Sequence, residues 1–172
     1  MKLKDFDFRI WDKTKEAFLK QEPTLIKLDN ERVIAGRISR FYANTADIAD
    51  MFIGNGNDLE IELWTGFYDS KGVKIYEGDM VKYRTQMQPL VAVFERSTFY
   101  IVDTSIEKDL QVDCAMHLQS LYENRDKGYT NNKLECLKVL GNIHENADLL
   151  KEQNETKRKG VENGRYTETT RN

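Results

Sequence analysis

A small, mainly β chain with short helices is predicted by three features: two-residue alternation of apolar side chains, tight-turn sequences between the alternating runs, and apolar runs of strand length. Leu59, Ile61 and Leu63 alternate with Glu60, Glu62 and Trp64, the period of a half-buried strand. Asp69, Ser70, Lys71 and Gly72 then form a turn tetrad, in which Asp can accept from its own downstream backbone and Gly can take a positive φ. A hairpin reversal is expected there. Beyond it, Val73 and Ile75, and then Met80, Val81 and Tyr83, are separated by Glu77, Gly78 and Asp79. This spacing predicts a bend between two strands, with Gly78 in a backbone state that a β-carbon disfavours and Asp79 as the side-chain cap.

The other elements follow in order. A first strand is expected at residues 8–11, a charged turn at 12–16, and a second strand at 24–28 closed by a turn at Asp29 and Asn30. Residues 32–42 mix Val33, Ile34, Ile38 and Phe41 with Arg37 and Arg40, which suits a strand or an irregular extended piece with Gly36 as a bulge. Residues 43–58 read as a helical turn capped by Asn44 or Thr45, with Ile48, Met51 and Phe52 on one buried face, ending in a Gly-rich loop at residues 54–58. Strands are expected at residues 90–95 and 99–102, joined by Glu95, Arg96 and Ser97. Residues 115–122 suit a strand or a short helix equally. Residues 133–140 carry Leu134, Cys136, Leu137 and Val139, a strand entering a Gly141-Asn142 turn. The expected domains are a β-rich subdomain with a short helix at 1–58, a barrel closed by a short helix at 59–150, and a polar, flexible tail at 151–172.

Composition bounds the function classes. With 172 residues, 40% hydrophobic and 32% charged, a core of useful size can form. The net charge is −3, and the tail holds six of the 26 basic and four of the 29 acidic residues, so the body carries −5. That balance argues against a general nucleic-acid footprint. Cys114 and Cys136 are too few for a secreted disulfide scaffold, the start MKLKDFDF lacks a signal-peptide apolar run, and no stretch is long and apolar enough to span a bilayer. A cytoplasmic protein with reduced thiols is expected, with no membrane association.

The pattern running from Gly66 through Asp69, Gly72, Ile75, Tyr76, Glu77, Gly78 and Asp79 resembles the signature of the YopX family of phage and prophage proteins. Two further segments agree: FRIWDKTKEAF at 8–18 is similar to the family's start, and VLGNIHENADLL at 139–150 to its closing motif, with Gly141, Asn142 and Asn146 at the matching places. Three ordered motifs over much of the chain make a specific match. The resemblance implies an SH3-like β-barrel in the C-terminal part and a setting in phages of Gram-positive bacteria; it implies no reaction. The chain departs from the pattern at Ala147, where many relatives have Pro, although Asn146 can still serve as N-cap of a short helix. Residues 107–132 are longer than the usual connection, and the tail lies outside the resemblance.

No catalytic constellation emerges. Asp69 and Asp79 are explained where they stand as turn formers, which is favoured over an acid–base pair. Cys114 and His117, with Cys136 and His144, offer a CxxH spacing far too weak for a zinc site, and Cys136 in an alternating run suits a core residue. A nucleophilic pair of Cys114 or Cys136 with His144 lacks a third orienting group. Trp64, Phe67, Tyr68 and Tyr76 could form a stacking or docking platform, but strand alternation sends half of them inward. The expected interaction surface, if one exists, is Trp64, Tyr68, Lys71 and Lys74. The favoured reading is a non-enzymatic module binding a protein partner or its own copies. A nucleic-acid module using the aromatic hairpin and basic tail, and an enzyme using Asp69, Glu77 or Asp79, are the alternatives; no cofactor, metal or small-molecule ligand is expected.

Overall fold

Strand pairing organises the chain at every level. In the computed structural model the described residues are 7–19, 24–27, 32–36, 51–55, 59–86, 88–124 and 132–150. They fall into two units, Met1–Trp64 and Thr65–Asn172.

In the first unit, β1 (Phe8–Asp12) turns into β2 (Ala17–Phe18) and pairs antiparallel with it. Asp12 closes the turn, its Oδ1 accepting from the N–H groups of Thr14 at 3.0 Å and Lys15 at 3.1 Å. On its other side β1 pairs with residues 59–63 of β6 (Leu59–Tyr68), placing Arg9 opposite Glu62. Their ion pair spans 2.6 Å, and Glu62 is buried. A carboxylate removed from water needs such a partner, because leaving it uncompensated is costly. Ile10 and Trp11 are buried, and Trp11 meets Phe18 edge-on at 5.0 Å. β3 (Thr24–Lys27), β4 (Arg32–Gly36) and β5 (Met51–Asn55) form a three-stranded antiparallel sheet in that order.

The second unit begins within β6, whose neighbour there is β7 (Lys74–Tyr76). Next come β8 (Asp79–Tyr83), β9 (Leu90–Glu95), β10 (Thr98–Val102), α1 (Lys108–Gln111), β11 (Met116–His117), α2 (Leu118–Glu123) and β12 (Leu137–Asn142). Five of the strands make an antiparallel sheet of order β11-β10-β9-β8-β12, and the curled sheets of the protein include a half-barrel. Leu90 and Ala92 pack on one face with Ile75, Val81, Ile101, Leu118, Leu134 and Leu137, whereas Val91 joins Met80 and Val102 in a separate cluster, against which Ile143 and Leu150 pack. The pleat sends neighbouring residues of β9 to opposite faces, so an unbroken apolar run gives the sheet two covered sides. Ile75 and Leu118 have no exposed surface, and burying a side chain of that size contributes roughly 1.5–3 kcal/mol.

The mainly β reading and most strand positions agree with the sequence. Several local expectations are corrected. The C-terminal part of the expected helical turn is β5, so Met51 and Phe52 lie in a strand; β pairing with β4 overrides the three-and-four spacing. Residues 43–50 lie outside the described residues, as do Asp29 and Asn30. Gly36 makes no bulge, since it keeps regular register with Thr24 and Met51. Gly141 and Asn142 remain within β12, where the register shifts between Val139 and Gly141, and the turn comes later, at residues 143–145. The strand also starts later than expected, at Leu137, after a turn at residues 135–136. Residues 115–122 divide into β11 and the start of α2. At the β9–β10 hairpin, Arg96 and Ser97 both take positive φ, 48° and 63°. That twist matches paired strands and is commonly supplied by Asn or Gly.

Candidate functional site

The motif residues of the 66–79 hairpin and of the closing segment converge in the second unit, where these two stretches far apart in sequence share one hydrogen-bond network. Asp69 is 1% exposed. Its Oδ1 accepts from the N–H groups of Lys71 and Val73, both at 2.8 Å, and its Oδ2 accepts from Val139 N–H at 3.0 Å. The first two bonds close the turn predicted at this tetrad, and Gly72 takes φ +83° as that turn requires. The third reaches β12, which no local pattern could have predicted. Ser70 N–H adds a bond to Leu137 O at 2.9 Å.

Asp79 repeats the arrangement one turn later. It is 2% exposed, its Oδ2 accepts from Tyr76 N–H at 2.8 Å, and it stands opposite Asn142 in register. Asn142 points its Nδ2 at Asp79 Oδ1 across 3.5 Å and receives His144 N–H on its Oδ1 at 2.9 Å. Gly78 has φ 76°, donates to Ala92 O at 2.8 Å and accepts from Ile143 N–H at 3.0 Å, so the bend is pinned from both sides. Asn146 was expected to cap a helix. Residues 148–150 are helical and Asn146 O accepts from Leu149 N–H at 3.0 Å, but the side-chain Oδ1 turns back to accept from Asn142 N–H at 3.2 Å, and the Asn146 N–H returns to Asn142 O at 2.9 Å. A β-carbon added to Gly141 would overlap the Asn146 carboxamide. A side chain at 141 would therefore have to displace that carboxamide.

Each remaining motif residue has a place. Gly66 takes φ 87°, and its carbonyl accepts from Asn132 Nδ2 at 3.1 Å. Ile75 is a core residue, Tyr76 is half-buried, and Glu77 sits half-buried on the bend. Thr65 was given no role of its own from sequence: its buried hydroxyl donates to Ile75 O at 2.8 Å and accepts from Phe67 N–H at 3.3 Å, tying β6 to β7. Its place directly before Gly66, where the family pattern begins, was the available signal. Of the proposed surface, Trp64 closes the first unit and is half-buried, while Tyr68 and Lys74 are half-buried and Lys71 exposed in the second. Tyr68 also bonds through its backbone to Asn132 and Leu134, and Phe67 lies in the core.

The chemistry available at these groups is limited by their engagement. Both aspartates are occupied by backbone N–H groups. Among the described residues, no group of three or more His, Cys, Asp and Glu side chains is placed to hold a metal ion. His117 lies between two hydroxyls, Nε2 at 2.8 Å from Thr98 Oγ1 and Nδ1 at 3.1 Å from Ser120 Oγ. Cys114 is exposed; Cys136 is half-buried beside the larger cluster, and burial pushes its thiol above the ordinary range. Among the described residues, no helix is long and apolar enough to cross a membrane.

Comparison with known proteins places these observations in a family. The family model described as YopX protein matches residues 7–151. No curated protein matches. Among solved structures, the chain is similar to protein EF1440 from Enterococcus faecalis at 22% identity, with a TM-score of 0.48, over 84% of this chain and 97% of that one.

Proposed function

The chain belongs to the YopX family, and from that premise we propose that it is a non-enzymatic accessory protein of phages and prophages. It acts in the cytoplasm of the host as a module that binds another protein or further copies of itself. The observation that carries this reading is the fate of the two hairpin aspartates. A general acid or base must offer an oxygen to its substrate, whereas Asp69 and Asp79 are buried and turned onto backbone amides. The residues that define the motif thus serve to hold a surface in shape.

Light scattering on the purified protein, with and without mixed nucleic acid at low and moderate salt, tests the reading. A defined oligomer, or a defined complex with one protein recovered from infected cells, together with no shift on adding nucleic acid, is the expected result. A mass increase on nucleic acid that collapses as salt rises would overturn it in favour of phosphate-backbone binding.

A further inference from the structure

β12 is the terminal strand of the five-stranded sheet, so the side facing away from β8 presents backbone groups that could pair with another chain. Four of those groups are engaged. Leu137 O receives Ser70 N–H, Val139 N–H goes to Asp69 Oδ2, Asn142 N–H goes to Asn146 Oδ1, and Asn142 O receives Asn146 N–H. The register shift between Val139 and Gly141 breaks the regular ladder along the same strand. Lys138 is exposed between the two capped positions, a charge of the kind that discourages edge pairing. The absence of a side chain at Gly141 leaves the space that Asn146 fills.

We propose that the Asp69 turn and the Asn146 loop act together as an edge guard, which keeps β12 from pairing with β12 of a second copy of this chain. The sequence beneath the guard explains the need for it. Leu137, Val139 and Leu140 make a short apolar strand of the type that self-pairs when its amides are open, and two such edges related by a twofold axis would match each other antiparallel. The side chains that close this edge come from two of the three segments that carry the family motifs. Any self-association of the native protein therefore uses a surface other than β12.

The test compares the full chain with the double variant Asp69→Asn, Asn146→Ala. Asp69→Asn keeps one side-chain oxygen for the Lys71 and Val73 amides and turns an amino group toward Val139. Asn146→Ala, at an exposed residue, opens Asn142 N–H. In dilute solution the Val139 and Asn142 amides of the variant should exchange about tenfold faster than in the native protein. As concentration rises its mass should exceed that of the native protein, with both amides protected again in the larger species. A variant with native circular dichroism whose mass follows the native protein at all concentrations overturns the proposal, as does a larger species in which those amides exchange freely. The native protein supplies a check that does not depend on the variant folding. Its Val139 and Asn142 amides must exchange at least about tenfold more slowly than unstructured amides, and open-chain rates there overturn the proposal outright.

Discussion

Replacing Asp69 by Ala removes the acceptor for three backbone N–H groups, at 2.8, 2.8 and 3.0 Å, from a site that is 1% exposed. A hydrogen bond to a carboxylate contributes about 1.5–3 kcal/mol, and a buried N–H left without an acceptor costs a comparable amount. Lys71 is exposed, so water can take over its amide. The other two amides are the costly ones, and the expected loss is about 3–5 kcal/mol, a large share of the roughly 5–15 kcal/mol of a typical domain. Asp69→Asn should lose about 1–2 kcal/mol, because one oxygen remains for the turn and only the Val139 bond is sacrificed. Both tryptophans, Trp11 and Trp64, belong to the first unit. The second unit should therefore be followed by denaturant-dependent exchange of its core amides, Ile75 and Ile101, with the denaturant slope checked for constancy. An Asp69→Ala loss within about 0.5 kcal/mol of zero would refute the reasoning, since surface substitutions of no structural role fall in that range. Equal losses for the two variants would place the effect outside the turn.

Three further outcomes are expected. Gly141→Ala should cost about 1 kcal/mol by displacing the Asn146 carboxamide, and combining it with Asn146→Ala should cost clearly less than the sum of the two; strict additivity in a double-mutant cycle would show that the two positions act separately. Burial works to raise the Asp12 carboxyl, but the Lys15 and Thr14 amides and the Lys15 ammonium outweigh it and hold it below its ordinary value of 3.8. Its folded pKa being depressed, its contribution is present above 3.8 and disappears as pH falls through the lower folded value; acid unfolding of the first unit should lose that component in Asp12→Asn, and identical acid profiles would refute it. Alkylation followed by peptide mass mapping at neutral pH should modify exposed Cys114 well before Cys136, whose half-buried thiol resists ionisation; equal rates in the folded protein would contradict the packing described.

How much was legible in the sequence depends on how local the physics is. The Asp69 and Asp79 turns were readable because an aspartate that closes a turn finds its amides within four residues, Lys71 and Val73 for one and Tyr76 for the other. The strands at Leu59, Leu90 and Thr98 were readable from alternation or from short apolar runs. Met51 and Phe52 were misassigned because a short apolar pair fits a helix face and a strand equally, and the pairing of β4 with β5 decides the matter from outside the segment. Asn146 was read forward as a cap because capping is the commonest local use of such a residue; its carbonyl does reach forward to Leu149, whereas its side-chain oxygen bonds behind it, to Asn142.

The sequence by itself thus determined the fold class, the turns closed by Asp69 and Asp79 and the motifs that mark the family, all of which rest on side-chain periodicity and on bonds that close over a few residues. Only the tertiary structure decided what those motifs do jointly. The bond from Asp69 to Val139 and the facing of Asp79 and Asn142 join positions 70 and 63 residues apart, and a contact closed over such a distance is set by sheet register and core packing, which no local pattern encodes.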